Sequence, residues 1–138
     1  MAETAHFSTF GITIPDQWTQ EMEPGPADNW GSTLRLTSPN GEGVLKVTTF
    51  EAPLVISQER LRNLTNVPQT VPLKWQNWGD LNGFQYDYSV GDSSFRQWWL
   101  TTEQTVVFVV YEYKKDTGGV DSTVLDKVVR SITSANIQ

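Results

Sequence analysis

The amino-acid sequence predicts an α+β fold, a central antiparallel sheet with helices packed on its faces, and three observations point to it. Val106 to Val110 is an unbroken apolar run, the pattern of a strand covered on both sides. The segments around it alternate apolar and polar residues between Gly- and Asn-containing turns, as antiparallel hairpins do. Near the C-terminus, Val124, Leu125, Val128, Val129 and Ile132 fall on one helical stripe that can cover a sheet face. The order of these elements is not the strict strand and helix alternation of a doubly wound fold, so a parallel nucleotide-binding sheet is not expected.

Each element has its own signal. In FGITIPDQW, Phe10, Ile12 and Ile14 share one face before Pro15 ends the ladder, and Trp18 follows a turn. The stretch before it, with His6, is expected to fray. TQEMEPGPADN carries two prolines, a glycine and the acids Glu21, Glu23 and Asp28, and reads as an exposed loop. Leu34 and Leu36 alternate, Pro39-Asn40-Gly41 supplies turn chemistry, and Leu45 and Val47 resume the alternation, which makes a hairpin. Ser57 is placed to cap a short helix that ends before Pro68, with Ile56 and Leu61 spaced as a hydrophobic staple.

From Val71 to Leu81 a strand is expected, although Trp75 and Trp78 sit on opposite phases. Phe84, Tyr86, Tyr88 and Val90 then face one way and Gln85, Asp87 and Ser89 the other, before a turn at Gly91-Asp92-Ser93. With Glu103 and Gln104 as a hairpin tip, Trp99 falls opposite Phe108 and Trp98 opposite Val109, on opposite faces. Asp121 is a good N-cap for the last helix, Val120 and Leu125 are spaced as a staple, and Gly118-Gly119 frees the chain to turn into it. That helix covers one face of the sheet; the Ser57 helix and the Trp-bearing connections are expected on the other.

Composition narrows the function. A chain of 138 residues fits one domain with a substantial core. A net charge of -6 is the wrong sign for phosphate backbones or anionic lipid surfaces, so no nucleic acid and no membrane insertion are expected. The absence of cysteine removes disulfides, thiolate catalysis and Cys-based zinc sites. MAETAHFSTF lacks a basic region followed by an apolar one, and the expected location is cytoplasmic.

No catalytic set emerges. His6 stands alone, without the supporting shell that catalytic or metal-bound imidazoles need. The acids Asp80, Asp87 and Asp92 have no fixed separation across a cleft and miss the calcium-loop spacing, so no bound metal is expected. SPNGEG lacks the Lys-Ser/Thr and helix of a phosphate cradle, and no GxSxG elbow or dinucleotide fingerprint occurs. The expectation is a protein without catalytic residues and without cofactors. Six tryptophans remain, Trp18, Trp30, Trp75, Trp78, Trp98 and Trp99, which serve either as core or as a ligand groove.

The opening FGITIPDQW, the hairpin around Asn40-Gly41 and the ending VVFVVYEYKKDTGGVDSTVLDKVVRSI resemble the PsbP-like superfamily over nearly the whole chain. That superfamily also includes a Ran-binding import factor and bacterial DcrB-like proteins. The resemblance implies a sandwich with a central antiparallel sheet between helices, used as a binding platform. Its members bind proteins: photosystem subunits dock to a membrane complex, the import factor binds a small GTPase, and some bacterial relatives are chaperones for secreted toxins. No catalytic motif accompanies the resemblance, so it transfers no functional residue.

The resulting expectation is a non-enzymatic protein-binding module of chaperone, adaptor or immunity type, whose partner is a basic toxin or secreted effector. Glu21, Glu23, Asp28, Trp30, Trp78 and Asp80 are the expected contact residues, because acids steer basic partners and aromatics are enriched at interfaces. A free edge strand would also permit a homodimer. The alternative is a small-molecule or carbohydrate binder, or a hydrolase, with an aromatic groove and Asp80 or Asp87.

Overall fold

A computed structural model describes residues 3–6, 10–24, 33–39, 43–51, 57–63, 65, 73, 75–102, 105–117 and 122–134. Ten strands and two α-helices are formed by these residues. In chain order they are β1 (Glu3–His6), β2 (Phe10–Ile14), β3 (Thr19–Glu23), β4 (Thr33–Thr37), β5 (Val44–Glu51), α1 (Gln58–Asn63), β6 (Gln76–Trp78), β7 (Leu81–Val90), β8 (Ser93–Thr102), β9 (Thr105–Lys114), α2 (Ser122–Arg130) and β10 (Thr133–Ser134).

Seven strands form one antiparallel sheet in the order β3-β4-β5-β9-β8-β7-β6, and β1-β2-β10 form a second, smaller one. Two meanders, β3 to β5 and β6 to β9, meet where β5 pairs with β9. The register places Trp98 opposite Val109 and Trp99 opposite Phe108, so the two adjacent tryptophans point to opposite faces of the large sheet.

The expected helix-packed α+β sandwich is therefore incorrect. Strand dominates, and the helices are only six and nine residues long. One face of the large sheet is covered by the small sheet together with α2. Ile12 and Ile14 of β2 and Leu125, Val128, Val129 and Ile132 pack with Leu34, Leu36, Leu45, Val47, Val107, Val109, Tyr111, Trp98 and Leu100. Two segments add strand where none was expected, and a third forms less of one. The stretch around His6 is strand β1, paired through His6 with Gly11, where fraying was expected. Thr19–Glu23, expected as loop, is strand β3. Of the expected strand at 71–81, Gln76–Trp78 is the part that pairs before β7 begins among the described residues; residues 71, 72 and 74 lie outside them.

Of the predicted stripe, Leu125, Val128 and Val129 of α2 and Ile132 just beyond its end are at most 3% exposed, while Val124 is half-buried. Ser57 caps α1, its Oγ accepting from the Arg60 backbone N–H at 3.2 Å, the N3 position a capping serine serves. The β4–β5 hairpin closes with Ser38 bonded to Gly43 through both backbone and hydroxyl. Asn40, Gly41, Ile56, Glu103, Gln104, Gly118, Gly119, Val120 and Asp121 lie outside the described residues.

The turns β6–β7 and β7–β8 use the same dipeptide. Gly79-Asp80 joins the pair Trp78 and Leu81, and Gly91-Asp92 joins Val90 and Ser93. Each glycine has φ of 60° at the first central position, the type II′ arrangement that matches strand twist and that only glycine adopts without strain.

Candidate functional site

The second face of the large sheet has a thinner cover. At one end Leu61 of α1 seals a small cluster with Phe84 and Val106, and Phe50, Leu73, Trp75, Tyr86 and Trp99 pack around it. Trp75 meets Phe84 edge-on, with centroids 5.2 Å apart. Moving along β7, β8 and β9 away from α1, burial falls from full at Phe84 to 64% exposed at Val90.

Between these limits lies a half-buried aromatic strip. The cross-strand rows are Phe84, Trp99 and Phe108; then Tyr86, Gln97 and Val110; then Tyr88, Phe95 and Glu112. Trp99 and Phe108 approach to 4.4 Å, Tyr86 and Tyr88 stack at 5.5 Å, and Tyr88 and Phe95 stack at 4.9 Å with planes 12° apart. Period-2 alternation puts these rings on one face, and antiparallel pairing aligns them across strands.

Trp99, Gln97 and Tyr88 are linked by hydrogen bonds along the strip. Trp99 Nε1 donates to Gln97 Oε1 at 3.1 Å, and Gln97 Nε2 donates to the Tyr88 hydroxyl at 2.8 Å. The Tyr88 hydroxyl thereby accepts and keeps its own proton to donate outward. Gln97 is fixed in the middle, and the rings are held in place without a ligand. Such rigidity lowers the ordering cost of binding.

The rows continue into charge. Gln97 and Val110 lead across β9 to Lys46 on β5, then Arg35 on β4 and Glu21 on β3. Lys46 Nζ lies 3.1 Å from Glu23 Oε1, an ion pair spanning β4. The aromatic half of this face thus borders a mixed-charge half that ends at an acidic edge strand.

The sequence-expected contact residues do not converge. Glu21 and Glu23 lie on β3, one edge of the large sheet, while Trp78 and Asp80 lie at β6 and its turn, the other edge. Six strand spacings separate those edges, about 29 Å. Asp80 is exposed in its turn. Trp78 is 1% exposed, and its Nε1 donates to Asp126 Oδ1 of α2 at 3.0 Å, so it clamps the helix to the sheet. Arg130 completes that clamp, 3.6 Å from Asp126 Oδ2 and donating to the Asn77 carbonyl at 3.3 Å. Asp28 and Trp30 lie outside the described residues. Asp87, the other carboxylate of the groove reading, is engaged by Arg96 through both oxygens and by Gln85.

Sequence reading missed the strip as a site, although the alternation of Phe84, Tyr86, Tyr88 and Val90 was visible. The available signal was a count of cover: a six-residue helix cannot bury the rings of three ten-residue strands. Hollows lined by described residues lie elsewhere. One of about 300 Å³ runs between β2 and α2, lined by Thr13, Pro15, Val124, Lys127, Val128 and Ser131, and one of about 450 Å³ is bounded by Asp92, Lys114, Lys115 and Asp116. Among the described residues no group of His, Cys, Asp and Glu could hold a metal ion, and no helix is long and apolar enough to cross a membrane.

No family model and no curated protein matches the chain. Among solved structures, a crystal structure of a protein from Bacteroides thetaiotaomicron is similar, with a TM-score of 0.62 at 12% identity over 93% of this chain. At that identity the likeness concerns the fold. The chain spans 46% of that protein's length.

Proposed function

We propose that the protein is a non-enzymatic protein-binding module, a chaperone, adaptor or immunity-type protein, that seats part of its partner on the aromatic strip of β7, β8 and β9. One observation carries the reading: Tyr86, Tyr88, Phe95 and Trp99 stay half-exposed yet are locked by stacking and by the Gln97 hydrogen bonds. Tyrosine and tryptophan supply large contact area at small entropic cost and dominate binding hot spots. The net charge of -6 favours a basic partner, such as a cationic toxin or effector. The PsbP-like resemblance bears on this reading only as an analogy of platform use, since the helix-packed sandwich it implies is not formed.

Affinity capture from source-cell lysate, at low and high salt, tests this with the Tyr88→Ala/Phe95→Ala double variant beside the parent chain. One dominant protein should be held by the parent and lost with the variant, while the circular dichroism melt changes little. Retention of every captured protein by the variant would remove the strip from the interface.

One observation favours a second reading, a small-molecule or carbohydrate binder. Gln97 presents a fixed amide between aromatic rings, an arrangement suited to a sugar ring that stacks and hydrogen-bonds. Saturable quenching of tryptophan fluorescence by an oligosaccharide, abolished in Trp99→Phe, would favour this reading over the first.

A further inference from the structure

We infer that the outer edge of β3 accepts an extended basic segment of a protein partner as an added strand. This rests on the reading of the chain as a protein-binding module, but it uses a surface other than the aromatic strip. β3 and β6 are the two edges of the large sheet. β6 is three residues long, and Arg130 of α2 reaches over it to the Asn77 carbonyl. β3 pairs through all five residues with β4 on one side, and no described strand pairs with its other side. Thr19, Gln20, Glu21 and Met22 are exposed, with Met22 45% so, and an unpaired row of backbone N–H and C=O groups is a template for another strand.

Charge selects the occupant. Thr19, Glu21 and Glu23 point to one face of β3 and Gln20 and Met22 to the other. A second copy pairing antiparallel about a two-fold axis would set Glu21 and Glu23 of the two chains on one face within about 5–8 Å, and like charges there oppose pairing. An acidic partner meets the same repulsion and a chain of net charge -6. A strand alternating Lys or Arg with apolar residues fits both sides: its cations beside Glu21 and Glu23, its apolar residues beside Met22. Lys46 pairs with Glu23 and Arg35 stands opposite Glu21 on the β4 side, so the incoming cation meets Glu21 from the outer side of β3, away from Arg35.

The test uses a synthetic peptide, Ac-TKVKVKT-NH2, titrated into the isotopically labelled protein and followed by backbone amide shifts. Saturable shifts centred on Thr19–Glu23 are expected, about fivefold weaker binding in Glu21→Lys, and no binding by the Glu-for-Lys peptide or by one with a central proline. Glu21 is exposed, so its variant should keep the parent's amide spectrum away from β3. Equal binding by the proline peptide, or shifts confined to β7, β8 and β9, would overturn the inference. So would sedimentation as a dimer that Glu21→Lys disrupts. The Tyr88→Ala/Phe95→Ala variant separates the two proposals. Its unchanged peptide binding supports the β3 site whatever happens to the strip, whereas loss there, with Glu21→Lys unaffected, sinks the β3 site and leaves the strip standing.

Discussion

Trp78 and Trp98 are equally buried, each 1% exposed, and they differ in one hydrogen bond. The Trp78 indole N–H reaches Asp126, while Trp98 Nε1 has no partner among the described residues. Replacing either by Phe removes similar apolar area. Trp78→Phe also loses a bond to a carboxylate, and Trp98→Phe removes a buried donor that was unsatisfied, so Trp78→Phe should cost about 2 kcal/mol more. Urea denaturation of the two variants measures the gap, and the reverse order would contradict the roles assigned to the two rings. Indole nitrogens are where sequence and structure part: six tryptophans were countable from the start, but whether each was core, clamp or platform depends on partners distant in sequence.

The two Gly-Asp turns allow a controlled comparison. Gly79 and Gly91 share φ of 60°, but a methyl group on Gly79 would strike the Arg130 carbonyl at the end of α2, whereas Gly91 faces open space. Gly91→Ala should cost about 1 kcal/mol from backbone strain alone. Gly79→Ala should cost that plus displacement of the α2 terminus, visible as a larger drop in melting temperature. Equal losses would mean that the helix end yields freely. The strands and helices legible in the sequence were those with a clear apolar period: α2 through its stripe, β4 and β5 through alternating Leu and Val, and β7 through its alternating aromatics, although that face of β7 is only half-buried. β3 was not, because an edge strand exposed on both faces carries no apolar alternation, and TQEME reads in sequence like part of the Pro- and Gly-bearing stretch that continues from it. β1 and β10 were missed because their cover, the small sheet, joins residues from both ends of the chain.

The large sheet is asymmetric through its thickness, and stability should follow that asymmetry. Ile132, wholly buried between the small sheet and the large one, should cost about 2–5 kcal/mol as Ala. Phe95, half-exposed on the strip, should cost less than about 1.5 kcal/mol, since truncation there removes a partly solvated ring and leaves no cavity. Guanidinium denaturation of both variants checks the ranking, and a Phe95→Ala loss as large as that of Ile132→Ala would mean that the strip is core and not a contact surface.

The seam between the two meanders bears on how the chain folds. Every other pairing in the large sheet joins strands adjacent in sequence, but β5 meets β9 across α1 and three intervening strands. The loop-closure entropy of that encounter must be met before its eight cross-strand pairs form. Two hairpin units that assemble early and a late, rate-limiting zippering of β5 onto β9 follow from this connectivity, with folding slower than in helical chains of the same length. Substitutions at Val47 and Val109, opposite one another on that seam, would then slow refolding, while those in the β7–β8 turn would mainly change the rate of unfolding only if that hairpin formed after the seam.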